Sequence, residues 1–235
     1  MPGRWDVVVA RDDLSVLVTT SRRELTTSTL LLAGPVGGAT QALLIDPAWD
    51  PDELDGIADD LAAWGVGDVV GLSTHAHYDH LLWHPGFGPG PRWASRTTAA
   101  TARRDRQALV AALGPDFRPD LAELVGPVQG RAAGLLPWTG PAVELVEHDA
   151  HTPGHLAVWL PDPGVLIAGD MLSDVEPPLP EETGPAEYRA GLAVLAPLVE
   201  RATVVIPGHG HVGDGAQARR RWAADRTAVD LLSDC

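Results

Sequence analysis

The chain has 235 residues, 45% of them hydrophobic and 21% charged, with a formal net charge of −15. That is globular rather than disordered and long enough for one well-buried domain, expected to span residues 1–235. All of the basic side chains are arginine, and an excess of carboxylates this large repels nucleic acid and anionic membrane, so neither is expected as a partner.

The N-terminal MPGRWDVVVARDD places charges on both sides of three valines and has neither the apolar run nor the cleavage site of an export signal. No stretch approaches the roughly 18 apolar residues of a spanning helix. The one cysteine, Cys235, is the last residue, which leaves no internal disulfide and reads as a terminus rather than a reactive thiol. The expected location is cytoplasmic.

In chain order, Val7–Val9, Ser15–Thr19, Ser28–Leu32 and Ala42–Ile45 read as short strands separated by Gly, Pro or charged turns. Asp50-Pro51 opens a helix with Asp50 as N-cap, and Leu54, Ile57, Ala58, Leu61 and Ala62 recur at helical spacing down to a stop at Gly65. The strand Val69–Ser73 follows. Thr97–Leu113 reads as an arginine-bearing helix, and the Pro- and Gly-rich stretch Pro115–Pro141 as including loops near a substrate. Strands return at Val143–Glu147, Leu156–Leu160, Val165–Ala168 and Thr203–Ile206. Helices are expected near Pro185–Glu200 and after Asp214. Strands followed by a helix in both halves suggest two similar layers closed back to back.

Four turns beside apolar strands carry metal-type ligands. They are His75-Ala76-His77-Tyr78-Asp79-His80, Thr152-Pro153-Gly154-His155, Gly169-Asp170 and Pro207-Gly208-His209. In extended backbone, residues two apart point the same way, so His75 and His77 can share one ion. Asp79 and His80 lie past the strand, where a turn can aim them at a second, and a carboxylate such as Asp170 can bridge two. Imidazole with carboxylate suits zinc or another borderline divalent ion, and the lone terminal cysteine excludes a thiolate site. Two histidines compete with these assignments: His151 with His155, and His211 with His209. His84 reads as a pocket or surface residue, and the role of His148 stays open. Trp49, Trp83, Trp93 and Trp138 read as core or loop anchors, with a pocket wall as the alternative. Arg92 and Arg96 read as solvated, with a substrate carboxylate as the alternative.

The ordered set His75-x-His77-x-Asp79-His80, Thr152-Pro153-Gly154-His155, Gly169-Asp170 and Pro207-Gly208-His209, with Asp46 in Leu44-Ile45-Asp46-Pro47 before it, resembles the metallo-β-lactamase-fold superfamily. The ligand pattern is similar to that of its glyoxalase II and lactonase members. The resemblance implies an α/β fold, a four-layer αββα sandwich. It also implies two divalent metal ions, zinc first with iron or manganese as alternatives. His75, His77 and His155 would hold one ion, Asp79, His80 and His209 the other, with Asp170 bridging and Asp46 orienting the histidine loop from behind. The expected activity is hydrolysis of an ester, thioester, lactone or amide bond of a small molecule by metal-bound hydroxide, with Asp79 positioning the nucleophile. Sulfur dioxygenases of the same superfamily, with one iron, and a non-catalytic binding protein on the same fold are the alternatives. Oligomeric state is not legible.

Overall fold

The computed structural model describes residues 4–180 and 182–233; Cys235 lies outside them. Contacts divide the chain into two compact units, Met1–Arg131 with Pro137–Pro141, and Ala132–Leu136 with Ala142–Cys235. Among the described residues no helix is long and apolar enough to cross a membrane.

The first unit is built on a seven-stranded sheet: β1 (Asp6–Ala10), β2 (Ser15–Thr20), β3 (Thr27–Leu32), β4 (Gln41–Ile45), β5 (Asp68–Leu72), β6 (Arg92–Ser95) and β7 (Gln129–Arg131), hydrogen-bonded in sequence order. β1 to β4 are antiparallel neighbours, and from β4 onward the pairings are parallel. The parallel crossover from β4 to β5 is α1 (Pro51–Ala63). It begins where the Asp-Pro pair predicts, and Glu53 accepts the Asp50 backbone N–H at 3.2 Å. It ends on Gly65 (φ +74°), with Val66 N–H bonded to Leu61 O and Gly65 N–H to Ala62 O, the double closure that a left-handed glycine permits. Leu54, Ile57 and Leu61 are buried and join Leu44, Trp83 and Phe87 in one core. In β5, Gly71 has to be glycine: a Cβ there would lie 2.6 Å from the Trp83 ring.

One sequence expectation changes here. The single helix over Thr97–Leu113 is two, α2 (Arg96–Arg104) and α3 (Arg106–Ala112), broken at Asp105. Asp105 is a poor helix former; it closes α2 by donating its N–H to Thr101 O and pairs its carboxylate with Arg104. The stretch Pro115–Pro141 carries α4 (Pro119–Ala122), β7 and the two-residue β8 (Gly134–Leu135) between its loops.

The second unit is a six-stranded sheet: β8, β9 (Glu144–His148), β10 (His155–Leu160), β11 (Val165–Gly169), β12 (Val204–Pro207) and β13 (Gly213–Asp214). All its pairings are antiparallel except β11 with β12. Helix α5 (Pro185–Arg201) joins those two strands and buries Tyr188, Leu192, Leu195 and Leu198. Helix α6 (Gly215–Ser233) follows β13. Trp222 on α6 donates its indole N–H to Leu192 O at 2.8 Å, tying the two helices. β10 and β11 are buried at every position, and Trp159 is the largest fully buried side chain of the molecule.

Candidate metal centre

In the first unit the parallel neighbours β4 and β5 end side by side, and Asp46 N–H donates to Leu72 O at 3.0 Å. Asp46 has φ +47°, which aspartate tolerates better than most residues. Its carboxylate is buried and takes three donors: Thr74 N–H on Oδ1 (2.9 Å), then Thr74 Oγ–H (2.7 Å) and His80 Nδ1–H (3.0 Å) on Oδ2. A carboxylate has no proton to give, so His80 carries its hydrogen on Nδ1, and its Nε2 lone pair faces the opposite way. Because the Thr74 hydroxyl donates to Asp46, it accepts from His75 Nδ1–H at 3.0 Å, so His75 also presents the Nε2 lone pair. One buried carboxylate therefore fixes the tautomers of two histidines, as ligand-orienting carboxylates do.

The outward-facing atoms form two donor pairs. His75 Nε2 lies 3.0 Å from His77 Nδ1, and His80 Nε2 lies 3.3 Å from Asp79 Oδ2. Ligands about 2.0–2.1 Å from a tetrahedral zinc ion lie roughly 3.3 Å from one another. The donor types and both spacings fit an ion at each pair. His75 and His80 are fully buried, Asp79 is 5% exposed, and no surface-histidine reading accounts for that. Between His77 and Asp79, Tyr78 meets Trp49 edge-on at 5.2 Å, and burial together with the Asp79 charge pushes its phenol up.

In the second unit, one oxygen organises the site. Asp170 Oδ2 lies 3.4 Å from His151 Nε2 and 3.5 Å from His209 Nε2. An oxygen flanked by two imidazole nitrogens is the arrangement a bridging carboxylate needs. His155 behaves differently: its Nε2 accepts the Asp170 backbone N–H at 3.2 Å, so that lone pair is engaged in holding the loop. Its ring stacks on His148 at 4.8 Å. Burial pulls His148 down to about 4, keeping it neutral, and its Nδ1 accepts Ala150 N–H at 3.3 Å. His211 sits with its side chain 63% exposed and paired to Asp174 at 3.0 Å, away from Asp170.

The remaining sequence candidates have structural work. His84 pairs with Asp55 at 3.0 Å and accepts Gly86 N–H. Trp138 donates to Pro141 O, Arg131 covers Trp93, and Trp83 packs over Gly71. Arg92 is not solvated: it stacks on Trp83, donates to Leu81 O and Leu124 O, and burial pulls its guanidinium down to about 10. Arg96 is exposed. Thr74 was legible as part of the motif only by position; its hydroxyl relay appears once Asp46 is placed behind it.

The sequence pattern of the Metallo-beta-lactamase superfamily matches residues 22–209. The chain belongs to that superfamily. No curated protein matches it closely enough to count as a relative. Among solved structures, the metallo-β-lactamase TMB-1 aligns with 98% of this chain and 99% of its own at 19% identity and a TM-score of 0.65. A metallo-β-lactamase from Pontibacter korlensis aligns with 97% and 99% at 18% identity and a TM-score of 0.64. A β-lactamase domain protein from Burkholderia ambifaria aligns with 96% of this chain and 76% of its own at 21% identity and a TM-score of 0.65. At these identities the likeness is one of fold, and the metallo-β-lactamase α/β class expected from the motifs is borne out, with one sheet and its helices in each unit.

Proposed function

We propose that the chain is a metal-dependent hydrolase with two divalent ions, its ligands being His75, His77, Asp79 and His80 in the first unit and His151, Asp170 and His209 in the second. Zinc is the favoured ion, given the imidazole and carboxylate donors. The observation that carries this reading is the two donor pairs at 3.0 and 3.3 Å, buried except for the half-buried His77, with Asp46 fixing the tautomers behind them. His151 takes the place expected for His155, because His155 Nε2 is already engaged by the Asp170 N–H whereas His151 Nε2 faces the Asp170 carboxylate.

Bound divalent ions would supply Lewis acidity and lower the pKa of their water toward about 7 in favourable zinc sites. The chain's own part is positional. Asp79, with one oxygen 3.3 Å from His80 Nε2, accepts a hydrogen bond from the attacking water and takes its proton. Asp46 and Thr74 keep His75 and His80 from turning. The bond broken is an ester, thioester, lactone or amide of a small molecule. A net charge of −15 favours neither nucleic acid nor anionic membrane as partner and suits a cytoplasmic enzyme acting on small molecules.

Elemental analysis of protein never exposed to chelator, followed by a screen of acyl esters, lactones and glutathione thioesters, tests the proposal. Close to two ions per chain with hydrolysis is expected. One iron per chain with oxygen consumption would replace it by the dioxygenase reading, and no metal at all by a binding protein.

A further inference from the structure

We infer that Arg221, on α6, is a positioning residue for the metal centre: it holds the backbone leaving β11, which carries Asp170, in register with the backbone leaving β12, which carries His209. This rests on the metal-centre reading above.

Arg221 is 7% exposed, and its Nη1 donates both to Leu172 O (3.3 Å) and to His211 O (2.9 Å). Leu172 is two residues after Asp170, and His211 two after His209, so one guanidinium reaches both loops at the same distance from their ligands. Its Nη2 lies 3.6 Å from Asp174 Oδ2, and Asp174 in turn accepts His211 N–H at 2.9 Å. One turn along α6, Asp225 accepts Leu172 N–H at 3.1 Å. Both peptide groups of Leu172 are thus gripped by residues i and i+4 of a single helix face.

The grip is needed where it falls. Leu172 has φ +58° and Gly169 φ +55°, so the β11 exit makes two left-handed steps around Asp170, and a branched side chain such as leucine holds that conformation only when its surroundings enforce it. Direct bonds between the loops, Gly208 N–H to Gly169 O (2.6 Å) and Ser173 Oγ–H to His209 O (2.7 Å), hold the near and far ends of the same junction. Arginine suits the position because its planar fork can span two carbonyls and a carboxylate at once, which lysine's single ammonium cannot.

A purely structural role, pinning α6 to the fold, is the competing account. Trp222, the next residue, docks α6 onto α5 through its indole N–H, which bonds Leu192 O and not the backbone of either loop. The experiment compares Arg221→Met with Trp222→Phe in the full chain. Cobalt titration reads the affinity of each ion and its coordination spectrum, steady-state kinetics separates kcat from KM, and amide exchange follows Leu172 and His211 in metal-free protein. Arg221→Met should weaken the more weakly held ion about 10–100-fold, the range seen when a ligand-orienting group is lost, alter the cobalt spectrum, and lower kcat with KM little changed. Exchange at Leu172 and His211 should rise together. Trp222→Phe, at comparable loss of thermal stability, should leave affinity, spectrum and both amides within twofold of the parent. Equal effects from the two variants, or unchanged amide protection in Arg221→Met, would overturn the inference. If the parent binds no second ion the hydrolase reading fails instead, and the amide exchange still decides the clamp.

Discussion

Asp46→Asn changes two atoms' chemistry and nothing else. Asparagine fills the same volume and is among the few residues that accept φ +47°, so the backbone of the β4 exit stays in place. If the amide oxygen keeps the Thr74 N–H, the NH2 group replaces Oδ2, which now accepts from both the Thr74 hydroxyl and His80 Nδ1–H. Two donors then face two donors. The imidazole can relieve this by moving its proton to Nε2, the atom 3.3 Å from Asp79 that should face a metal ion. Loss of such an orienting partner weakens metal binding about 10–100-fold, which is about 1.4–2.7 kcal/mol. Independently of metal, two charge-assisted hydrogen bonds to a buried carboxylate are lost, each with a net worth of about 1.5–3 kcal/mol. The metal-free variant should therefore unfold at a free energy lower by about 3 kcal/mol or more, a large share of the about 5–15 kcal/mol typical of a domain. Competition against a chelator at fixed pH reads the first quantity and denaturant unfolding of the metal-free protein the second. A folded Asn variant with metal affinity within twofold of the parent would refute the tautomer argument.

Replacing Asp79 with Ala should lower hydrolysis by about 10²–10⁴-fold in a folded protein, because it removes the group that takes the proton; near-normal turnover would refute that role. His151→Ala should lose an ion while His155→Ala keeps both with reduced thermal stability, read by elemental analysis of each; the reverse pattern would return the ligand to His155. Asp225 is 5% exposed and burial pushes its carboxyl up to about 7 from an ordinary 3.8. The folded chain therefore holds a proton that the unfolded chain releases across this interval. That contribution is complete below about pH 4 and is lost as pH rises through about 7, amounting to at most about 4 kcal/mol at about 1.4 kcal/mol per unit. Asp225→Asn should flatten this part of the unfolding free energy against pH in metal-free protein, and an unchanged slope would exclude Asp225 as its source.

What was legible in the chain is what is local. The apolar and β-branched runs of β2 to β4, the Asp50-Pro51 start and Gly65 stop of α1, and the six-residue run from His75 to His80 are each local, so pattern alone finds them. The break at Asp105 is not legible because helical spacing of apolar residues continues through it; the backbone leaves helical geometry there (φ −102°, ψ 10°) without a side-chain cap to mark it. The choice between His151 and His155, where the proposal departs from the sequence reading, is hard for a sharper reason. Both lie in one five-residue stretch around Thr152-Pro153-Gly154, of equal chemical type, and proximity to a strand favours His155, which begins β10. What favours His151 in the proposal is its φ of +64°, which takes that residue out of the strand direction, and a hydrogen bond to His155 from Asp170, fifteen residues away. Arg221 carries still less signal: in sequence it is one arginine of three in a row on a polar helix, and its partners lie 49 and 10 residues back. Ligand types follow from chemistry that the one-dimensional chain displays. Which imidazole nitrogen faces inward follows from hydrogen bonds the folded chain alone supplies, and those bonds are where substitution tests should be aimed.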